Sequence, residues 1–224
     1  MEDKGKLVCE LMDNKYDKLW QVKQSPYKPD FIYEGILKLA RRYTDGLTLD
    51  IGAGDGSLVM AYKKQGGRID GIDLAPKHPL ILYGDCRKLK YADGVYETIF
   101  AIDILEHLDD EGLNECLNEV YRVLCENGRL IITTSNDEDI KAFPVVCPEC
   151  GCQFHRVGHQ QRFTEHRIIG ILKNHGFRIV KLRKLNLGFF SMFGVFGKLF
   201  YLLGLQKRFN APILTKDLFI VCEK

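Results

Sequence analysis

A glycine-rich loop with acidic neighbours is the first place in this sequence where residue types and spacing could do chemistry. Residues 50–56 read Asp-Ile-Gly-Ala-Gly-Asp-Gly and follow the apolar run of a short strand. Glycines allow a tight turn that brings the backbone close to a ligand, and three are available: Gly52, Gly54 and Gly56. A dinucleotide fingerprint would require a glycine where this loop has Ser57. The carboxylates of Asp50 and Asp55 suit a cationic ligand better than a pyrophosphate.

The segments after the loop contain further acids, each at the end of a predicted strand. A second strand at residues 68–73 ends in Asp73, whose carboxylate could accept hydrogen bonds from both hydroxyls of a ribose. A third strand ends at Asp85, and a fourth runs into Asp103. A fifth strand follows at residues 128–134. Strands that alternate with helical segments predict a parallel sheet with helices on both faces.

These motifs, in this order, resemble those of the class I S-adenosylmethionine-dependent methyltransferases of the small-molecule type. The resemblance is close from residue 47 to residue 134. The cofactor of that family carries a sulfonium and an ammonium group, which agrees with the acidic loop. The resemblance implies an α/β fold with a Rossmann-like, mostly parallel sheet of seven strands and an antiparallel last strand. It also implies cofactor contacts from Asp50, Gly52, Gly54, Gly56, Asp73, Leu74, Asp85, Cys86 and Asp103, with residue 85 or 86 beside the adenine amino group.

Two histidines are candidates for a general base. Methyl transfer is an in-line displacement that depends mainly on proximity and alignment, and a base is needed only when the acceptor must lose a proton. His107 follows the fourth strand, at the sheet edge where open α/β folds bind ligands. A structural role at a helix end is an equal alternative for this residue. His159 lies in the run at residues 158–164, which resembles a segment that faces the acceptor pocket of small-molecule methyltransferases.

An insertion at residues 135–162 interrupts the alternation and contains a cluster of metal-ligand residues. Its C-P-x-C-G sequence is typical of a zinc knuckle, and two histidines follow at ligand spacing. The predicted zinc ligands are Cys147, Cys150, His155 and His159. Cys152 could replace one histidine, and three reduced cysteines without a metal are a further alternative. Because the loop has little apolar material of its own, we expect the metal to be structural.

Two rival functions are compatible with parts of the pattern. The run from Asp103 to His107, with a later histidine, resembles the acid–acid–histidine arrangement that holds a divalent ion in small-RNA ribose 2′-O-methyltransferases. That function also needs a basic single-strand groove with stacking aromatics, and the sequence indicates none, so nucleic acid is not the expected partner. The second rival is a non-catalytic methyltransferase-like scaffold that binds partners through its metal loop. The intact glycine loop and Asp73 argue against it.

A long apolar segment lies near the C-terminal end of the chain. Residues 187–205 contain one charged residue, Lys198, and are long enough to raise the question of a membrane span. They lie between the last two predicted strands of one sheet, which a span would place on opposite sides of a membrane. The alternatives are a lid over the acceptor pocket, a dimer contact, or a peripheral membrane contact supported by the flanking basic residues. We therefore expect a small acceptor that is apolar, aromatic or lipid-linked.

The composition and the length of 224 residues are compatible with a single domain with one α/β core. Residues 1–45 are predicted to form an N-terminal helical lid, and residues 46–224 the methyltransferase-like domain with its two inserted segments. The formal net charge of +2 gives no general attraction to nucleic acid. The first residues lack the apolar core of a signal peptide, so the expected compartment is the cytoplasm. The acceptor atom and the oligomeric state stay open.

Overall fold

The fold is built around one mostly parallel sheet. A computed structural model describes residues 30–142, 144–146, 153–188 and 216–224. The strands of this described part are β1 (Leu47–Ile51), β2 (Arg68–Asp73), β3 (Ile81–Tyr83), β4 (Tyr96–Ile102), β5 (Leu124–Ser135), β6 (Pro144–Val146), β7 (Gln153–His155), β8 (Arg178–Leu185) and β9 (Asp217–Glu223). Seven of them form the sheet in the order β3-β2-β1-β4-β5-β9-β8. Neighbours among β1 to β5 are parallel, and β9 is antiparallel to both β5 and β8. This confirms the predicted Rossmann-like fold.

Helices cover both faces of the sheet. In the described part of the chain they are α1 (Asp30–Ala40), α2 (Ser57–Lys64), α3 (Asp110–Val123) and α4 (Glu165–Asn174), with a 3-10 turn at Leu105–His107. The first two helices pack on one face, in a cluster with Phe100 and Phe219. The other two pack on the opposite face, in a cluster with Leu49 and Ile132. The result is a three-layer α/β/α arrangement whose sheet is buried on both faces.

Side-chain caps fix the starts of the two helices that follow the functional loops. Oδ1 of Asp109 accepts a hydrogen bond from the N–H of Gly112 at 2.7 Å, at the start of α3. Oγ1 of Thr164 accepts one from the N–H of Arg167 at 3.2 Å, at the start of α4. Such caps satisfy N–H groups that the first turn of a helix leaves unpaired. They define where the loops after β4 and after the insertion end.

The connection from α3 to β5 differs from the sequence-based expectation. The sequence predicts that the fifth strand begins at residue 128. In the structure α3 ends at Val123 and β5 begins immediately at Leu124. Tyr96 pairs with Leu124 and Thr98 pairs with Arg129, so the ladder changes register between them. An irregularity within the strand, with Asn127 at a φ of 62°, takes up the extra residues.

The insertion forms a short hairpin beside the main sheet. Strands β6 and β7 pair antiparallel, with Pro144 opposite His155, Val145 opposite Phe154 and Val146 opposite Gln153. The knuckle cysteines at positions 147, 150 and 152 lie outside the described residues. The described part of the insertion therefore contains the predicted histidine ligands and not the predicted cysteine ligands.

Two further predicted segments are described only in part. Helix α1 belongs to the predicted N-terminal lid, and Ile36 within it is fully buried in the core. Residues 1–29 lie outside the description. Of the apolar segment at residues 187–205 only its first two residues are described, and Leu187 is 1% exposed. None of the described helices combines the length and apolarity that crossing a bilayer requires.

Candidate active site at the carboxyl ends of the strands

The glycine loop leaves β1 at the carboxyl edge of the sheet and turns sharply into α2. Gly52 has a φ of 72°, and a Cβ atom there would lie 2.4 Å from Cδ1 of Ile104. Gly54 and Gly56 also have positive φ values, of 51° and 77°. The N–H of Gly54 donates a hydrogen bond to Oδ2 of Asp73 at 2.8 Å. The two predicted cofactor elements therefore lie side by side.

Two backbone N–H groups position the carboxylate of Asp73 at the end of β2. Its second oxygen, Oδ1, accepts a hydrogen bond from the N–H of Ala75 at 2.7 Å. An ionised carboxylate has about four acceptor sites, so two remain after these two backbone contacts. Those sites could accept the two hydroxyls of a ribose without breaking either contact. Leu74, the next predicted cofactor residue, is half-buried beside it.

Asp50 is a buried acid directly before the loop. It lies on β1 opposite Gly71 of β2 and Phe100 of β4, and it is 2% exposed. Burial, with repulsion from Asp73 and Asp55, raises its pKa well above the ordinary value of 3.8. Three acidic groups thus act on one another at this end of the sheet. A ligand that brings positive charge would relieve the repulsion.

The predicted adenine-side residues differ in what they can offer. The carboxylate of Asp85 accepts hydrogen bonds from the guanidinium of Arg87. Nε donates to Oδ1 at 2.9 Å and to Oδ2 at 3.1 Å, and Nη2 donates to Oδ2 at 2.8 Å. Burial acts to raise the pKa of Asp85, but the side-chain and backbone hydrogen bonds from Arg87, together with its positive charge, lower the pKa overall. The side chain of Cys86 is 5% exposed and packs in the core with Cys116. Residue 86 could therefore contact an adenine only through its backbone.

The chain leaves β4 in an uncommon conformation at Asp103. This residue has a φ of 51°, in the left-handed region that non-glycine residues rarely adopt. Oδ1 of Asp103 accepts a hydrogen bond from Oγ1 of Thr133 at 2.9 Å. The N–H of Asp103 donates one to the carbonyl oxygen of Thr133, also at 2.9 Å. These contacts to β5 hold the strained turn in place. Strain of this kind is often found at functional sites.

Glu106 is a buried acid within the 3-10 turn that follows. It is 2% exposed, and burial together with the nearby Asp103 raises its pKa to about 7. Its Oε2 atom has no hydrogen-bond partner within the described residues. A buried carboxyl with an unsatisfied oxygen is costly, which marks the residue as a functional candidate. In the sequence, only the resemblance to the RNA ribose methyltransferases indicates a role for this residue.

The two predicted catalytic histidines lie against each other. The ring centroids of His107 and His159 are 4.7 Å apart. Nδ1 of His107 lies 3.2 Å from the carbonyl oxygen of Gly158. A carbonyl oxygen can only accept, so Nδ1 carries the proton and the neutral ring has its lone pair on Nε2. The structure thus brings both candidates together at the carboxyl end of β4.

The arm of the insertion after β7 is bound to the turn after β4. The carbonyl oxygen of Glu106 accepts hydrogen bonds from the N–H groups of Gln160 and Gln161, at 2.7 Å and 3.1 Å. Nε2 of Gln160 donates to the carbonyl of His107 at 2.7 Å. These contacts explain how residues more than fifty positions apart meet. The insertion is therefore part of the candidate active site.

A third group of side chains combines Glu138 with the two histidines of the insertion. The imidazole rings of His155 and His159 stack with centroids 4.9 Å apart. Oε2 of Glu138 lies 2.5 Å from Nδ1 of His159, and Oε1 lies 3.8 Å from Nε2 of His155. The hydrogen bond from His159 lowers the pKa of Glu138, and burial lowers the pKa of His155. One potential ligand atom from each residue lies within 4.8 Å of the others.

Sequence reasoning found the histidines of this group and missed the acid. Glu138 comes three residues after β5, so it lies at the same sheet edge as the ends of β1 and β4. Ligand sites of open α/β sheets form at that edge, and this rule could have identified an acid just after the fifth strand. The other two predicted ligands, Cys147 and Cys150, are not among the described residues.

Comparisons with known proteins agree with this geometry. Residues 26–182, more than half of the chain, match the family described as methyltransferase domain. The sterol 4-C-methyltransferase strm-1 of Caenorhabditis elegans is 25% identical over 114 residues, which are 42% of this chain and 34% of that protein. The match thus spans about a third of the length of that relative.

Two solved structures have a similar fold. A SAM dependent methyltransferase from Archaeoglobus fulgidus has a TM-score of 0.63 at 19% identity, covering 88% of this chain and 95% of its own. The 1,6-didemethyltoxoflavin-N1-methyltransferase of Burkholderia thailandensis, with bound 1,6-didemethyltoxoflavin and S-adenosylhomocysteine, has a TM-score of 0.61 at 14% identity, covering 98% and 86%. At these identities the likeness establishes the fold, whereas the family match covers most of the domain. The chain therefore belongs to the methyltransferase domain family, and its fold is that of the S-adenosylmethionine-dependent methyltransferases.

Proposed function

We propose that this enzyme transfers the methyl group of S-adenosylmethionine to a small acceptor that is apolar, aromatic or lipid-linked. The observation that carries the cofactor assignment is the hydrogen bond that joins Gly54 of the loop to Asp73. It supports a cradle in which the loop backbone approaches the cofactor while the carboxylate accepts the ribose hydroxyls. The buried Asp50 beside this cradle favours the cationic cofactor over a pyrophosphate.

The acceptor assignment is supported by the apolar segment at residues 187–205. Its first residue, Leu187, is buried with core residues on the α1 face, and its N–H donates to Oδ2 of Asp217 at 2.7 Å. We propose that the segment covers the acceptor. A nearly uncharged segment needs a cover of protein, ligand or lipid. The curated relative named as a sterol methyltransferase supports a lipid-like acceptor.

We propose His107 as the general base for an acceptor that must lose a proton. The contact with the carbonyl of Gly158 places the lone pair of the neutral ring on Nε2. In the transfer step the acceptor atom would attack the methyl carbon as the bond from carbon to sulfur breaks. Nε2 would take the acceptor proton, and S-adenosylhomocysteine would leave.

We also propose that the insertion carries a metal ion, with zinc as the best candidate. The support is the meeting of His155 and His159, which the spacing of the sequence predicted as ligands. The cysteine part of the predicted knuckle remains a prediction. The remaining ligands decide whether the metal site is closed and structural or keeps an open position for another ligand.

The acceptor class can be tested with cofactor labelled in its methyl group. The full chain would be incubated with labelled S-adenosylmethionine and, separately, with a lipid extract, phenolic compounds, a peptide mixture and small RNA. We expect label in the organic-soluble products. Label confined to RNA would favour the ribose methyltransferase, and no label in any fraction would contradict the proposal.

Replacement of Phe193 and Phe196 by serine tests the proposed role of the apolar segment. The double variant should label acceptor more slowly while binding S-adenosylhomocysteine with unchanged affinity. Liposome flotation separates a lid from a peripheral membrane contact, because only the latter should bind anionic vesicles and be released by salt. A double variant that fails to fold would place the segment in the core and contradict its role in acceptor binding.

A further inference from the structure

We propose that Glu138, His155 and His159 bind one divalent metal ion, for which zinc is the best fit, and that this ion holds an oxygen atom of the acceptor. The proposal rests on the methyl transfer proposed above and deepens it, because it assigns the metal to acceptor binding. It replaces the two knuckle cysteines of the sequence-based ligand set with a carboxylate. Two histidines and one glutamate that leave a fourth position open are typical of catalytic zinc.

The first support is the distance between the ligand atoms. With bonds of about 2.0–2.2 Å to a tetrahedral ion, neighbouring ligand atoms lie roughly 3.4 Å apart. Oε1 of Glu138 lies 3.8 Å from Nε2 of His155, close to this value. Oε2 of the same carboxylate faces His159, whose ring stacks on that of His155. One carboxylate thus faces both imidazoles.

The second support is an unsatisfied buried nitrogen. His155 is 6% exposed, and its Nε2 atom has no hydrogen-bond partner among the described residues. A buried imidazole nitrogen without a partner is costly, and a bound cation would use it. The nitrogen lies on the side of the ring that faces Glu138. It is a ligand position independent of the short contact between Glu138 and His159.

The register of the hairpin separates His155 from the end of the strand that leads to the cysteines. His155 pairs with Pro144, whereas the segment with the cysteines starts after Val146, which pairs with Gln153. The pair Pro144–His155 and the pair Val146–Gln153 are two residues apart along the hairpin, a distance of about 6–7 Å. Glu138 reaches the same histidine from the end of β5. The described geometry therefore favours the carboxylate as the third ligand.

The location of the cluster connects the metal with the acceptor. The ring of His159 touches that of His107, which follows β4 and is the proposed base. The loop that contains His159 is hydrogen-bonded to the turn at Glu106. Cofactor and acceptor of an open α/β fold meet at this carboxyl edge. A metal here would lie within reach of the acceptor.

Two local changes must accompany metal binding. The contact of 2.5 Å between Glu138 and His159 has to lengthen, because the ion takes the place of the proton in this hydrogen bond. Nδ1 of His155 now accepts a hydrogen bond of 3.3 Å from the N–H of His159. Binding through Nε2 moves the ring proton to Nδ1, so this long contact has to open. Both changes involve only the ends of side chains and one weak hydrogen bond.

The ion would act as a Lewis acid on a hydroxyl or enolisable carbonyl of the acceptor. It would lower the pKa of the bound group, and His107 would take the released proton. The nucleophilic atom then forms a bond to the methyl carbon while the bond from carbon to sulfur breaks. S-adenosylhomocysteine leaves as a neutral thioether, and the base returns its proton to water. The metal keeps its oxidation state throughout.

Metal content tests the ligand set directly. Elemental analysis would compare the full chain, purified without chelators, with Glu138→Gln, His155→Ala and the double variant Cys147→Ser/Cys150→Ser. We expect Glu138→Gln and His155→Ala each to lose one zinc per chain, with at least roughly 10–100-fold weaker binding. The exposed Glu115→Gln on α3 is the matched control and should keep the metal. Zinc that is lost only with the cysteines, or a full chain that binds none when it is added, would overturn the proposal.

Cobalt spectroscopy tests the open position. Co²⁺ added to the metal-free full chain should give ligand-field bands that persist in the double cysteine variant, without a thiolate charge-transfer band. Acetohydroxamate, a small oxygen ligand, should shift those bands. If acetohydroxamate does not shift the bands, the site is closed and structural. That result would contradict acceptor binding by the metal. Binding of S-adenosylhomocysteine, measured by calorimetry on the metal-free protein, should be unchanged. If S-adenosylhomocysteine bound neither the metal-free nor the metal-loaded protein, that result would instead contradict the proposed methyl transfer.

Discussion

Asp50 shows at the residue scale how one side chain can weaken the fold and favour the ligand. Its carboxyl is buried and near two other acids, which raises its pKa above the ordinary value of 3.8. The folded protein therefore binds more protons than the unfolded chain between that value and the raised pKa. The free energy of unfolding consequently falls as pH rises through this interval. An ionised Asp50 without a cation nearby is thus destabilising.

Replacing Asp50 with asparagine should have opposite effects on stability and on cofactor binding. Above the raised pKa the variant should unfold at a higher temperature, since it has no buried charge. It should bind S-adenosylmethionine more weakly, and it should lose less affinity for S-adenosylhomocysteine, which lacks the sulfonium charge. Thermal unfolding over a series of pH values and calorimetry with both ligands measure these effects. Equal losses of affinity for the two ligands would contradict an electrostatic role.

Asp73 provides a second test at the residue scale. Its replacement by alanine removes the acceptor for the ribose hydroxyls and for the N–H of Gly54. We expect S-adenosylhomocysteine to bind about 1.5–3 kcal/mol more weakly, the range for hydrogen bonds to a charged group. Asp70→Asn is the control, because Asp70 lies on the same strand and its exposed side chain meets Tyr96 instead. A similar loss in both variants would point to damage to β2 rather than to the site.

The glycine loop is the element whose shape can be tested most simply. Gly52 needs a left-handed backbone, and a Cβ atom there would also meet Ile104. Gly52→Ala should destabilise the protein by about 1–2 kcal/mol and weaken cofactor binding. Gly170→Ala, in α4, has open space for its Cβ and should stabilise the protein by about 0.5–1 kcal/mol. Chemical denaturation of both variants gives the comparison, and a neutral Gly52→Ala would contradict the proposed loop strain.

The elements that the sequence predicted well are those with a local signal. Strand β2 and its terminal acid could be predicted from the sequence, because the apolar alternation and Asp73 lie within the same six residues. The spacing of His155 and His159 was enough to predict them as metal ligands. Glu138 was missed because its contact with His159 depends on the hairpin, which returns the chain to the end of β5. The irregular start of β5 was missed because cross-strand register decides it, and local propensity does not contain that information.

At the scale of the whole molecule, topology explains why distant residues meet. The carboxyl ends of β1, β2 and β4 carry the loop, Asp73 and Asp103, while β5 leads into the insertion. A parallel sheet places all these ends on one edge. The parallel arrangement of the first strands was predictable from the alternation of elements. The contact between the insertion and the turn at Glu106 was not, because it joins residues more than fifty positions apart.

Cofactor selection by the whole domain is the central claim, and calorimetry on the full chain tests it most directly. Titration with S-adenosylmethionine, S-adenosylhomocysteine and NAD should show one binding site for each sulfur-containing ligand and no binding of NAD. The physical reason is the acidic glycine loop next to Asp73, which favours a cationic nucleoside and disfavours a pyrophosphate. Binding of NAD, or the absence of binding by both sulfur-containing ligands, would contradict the account.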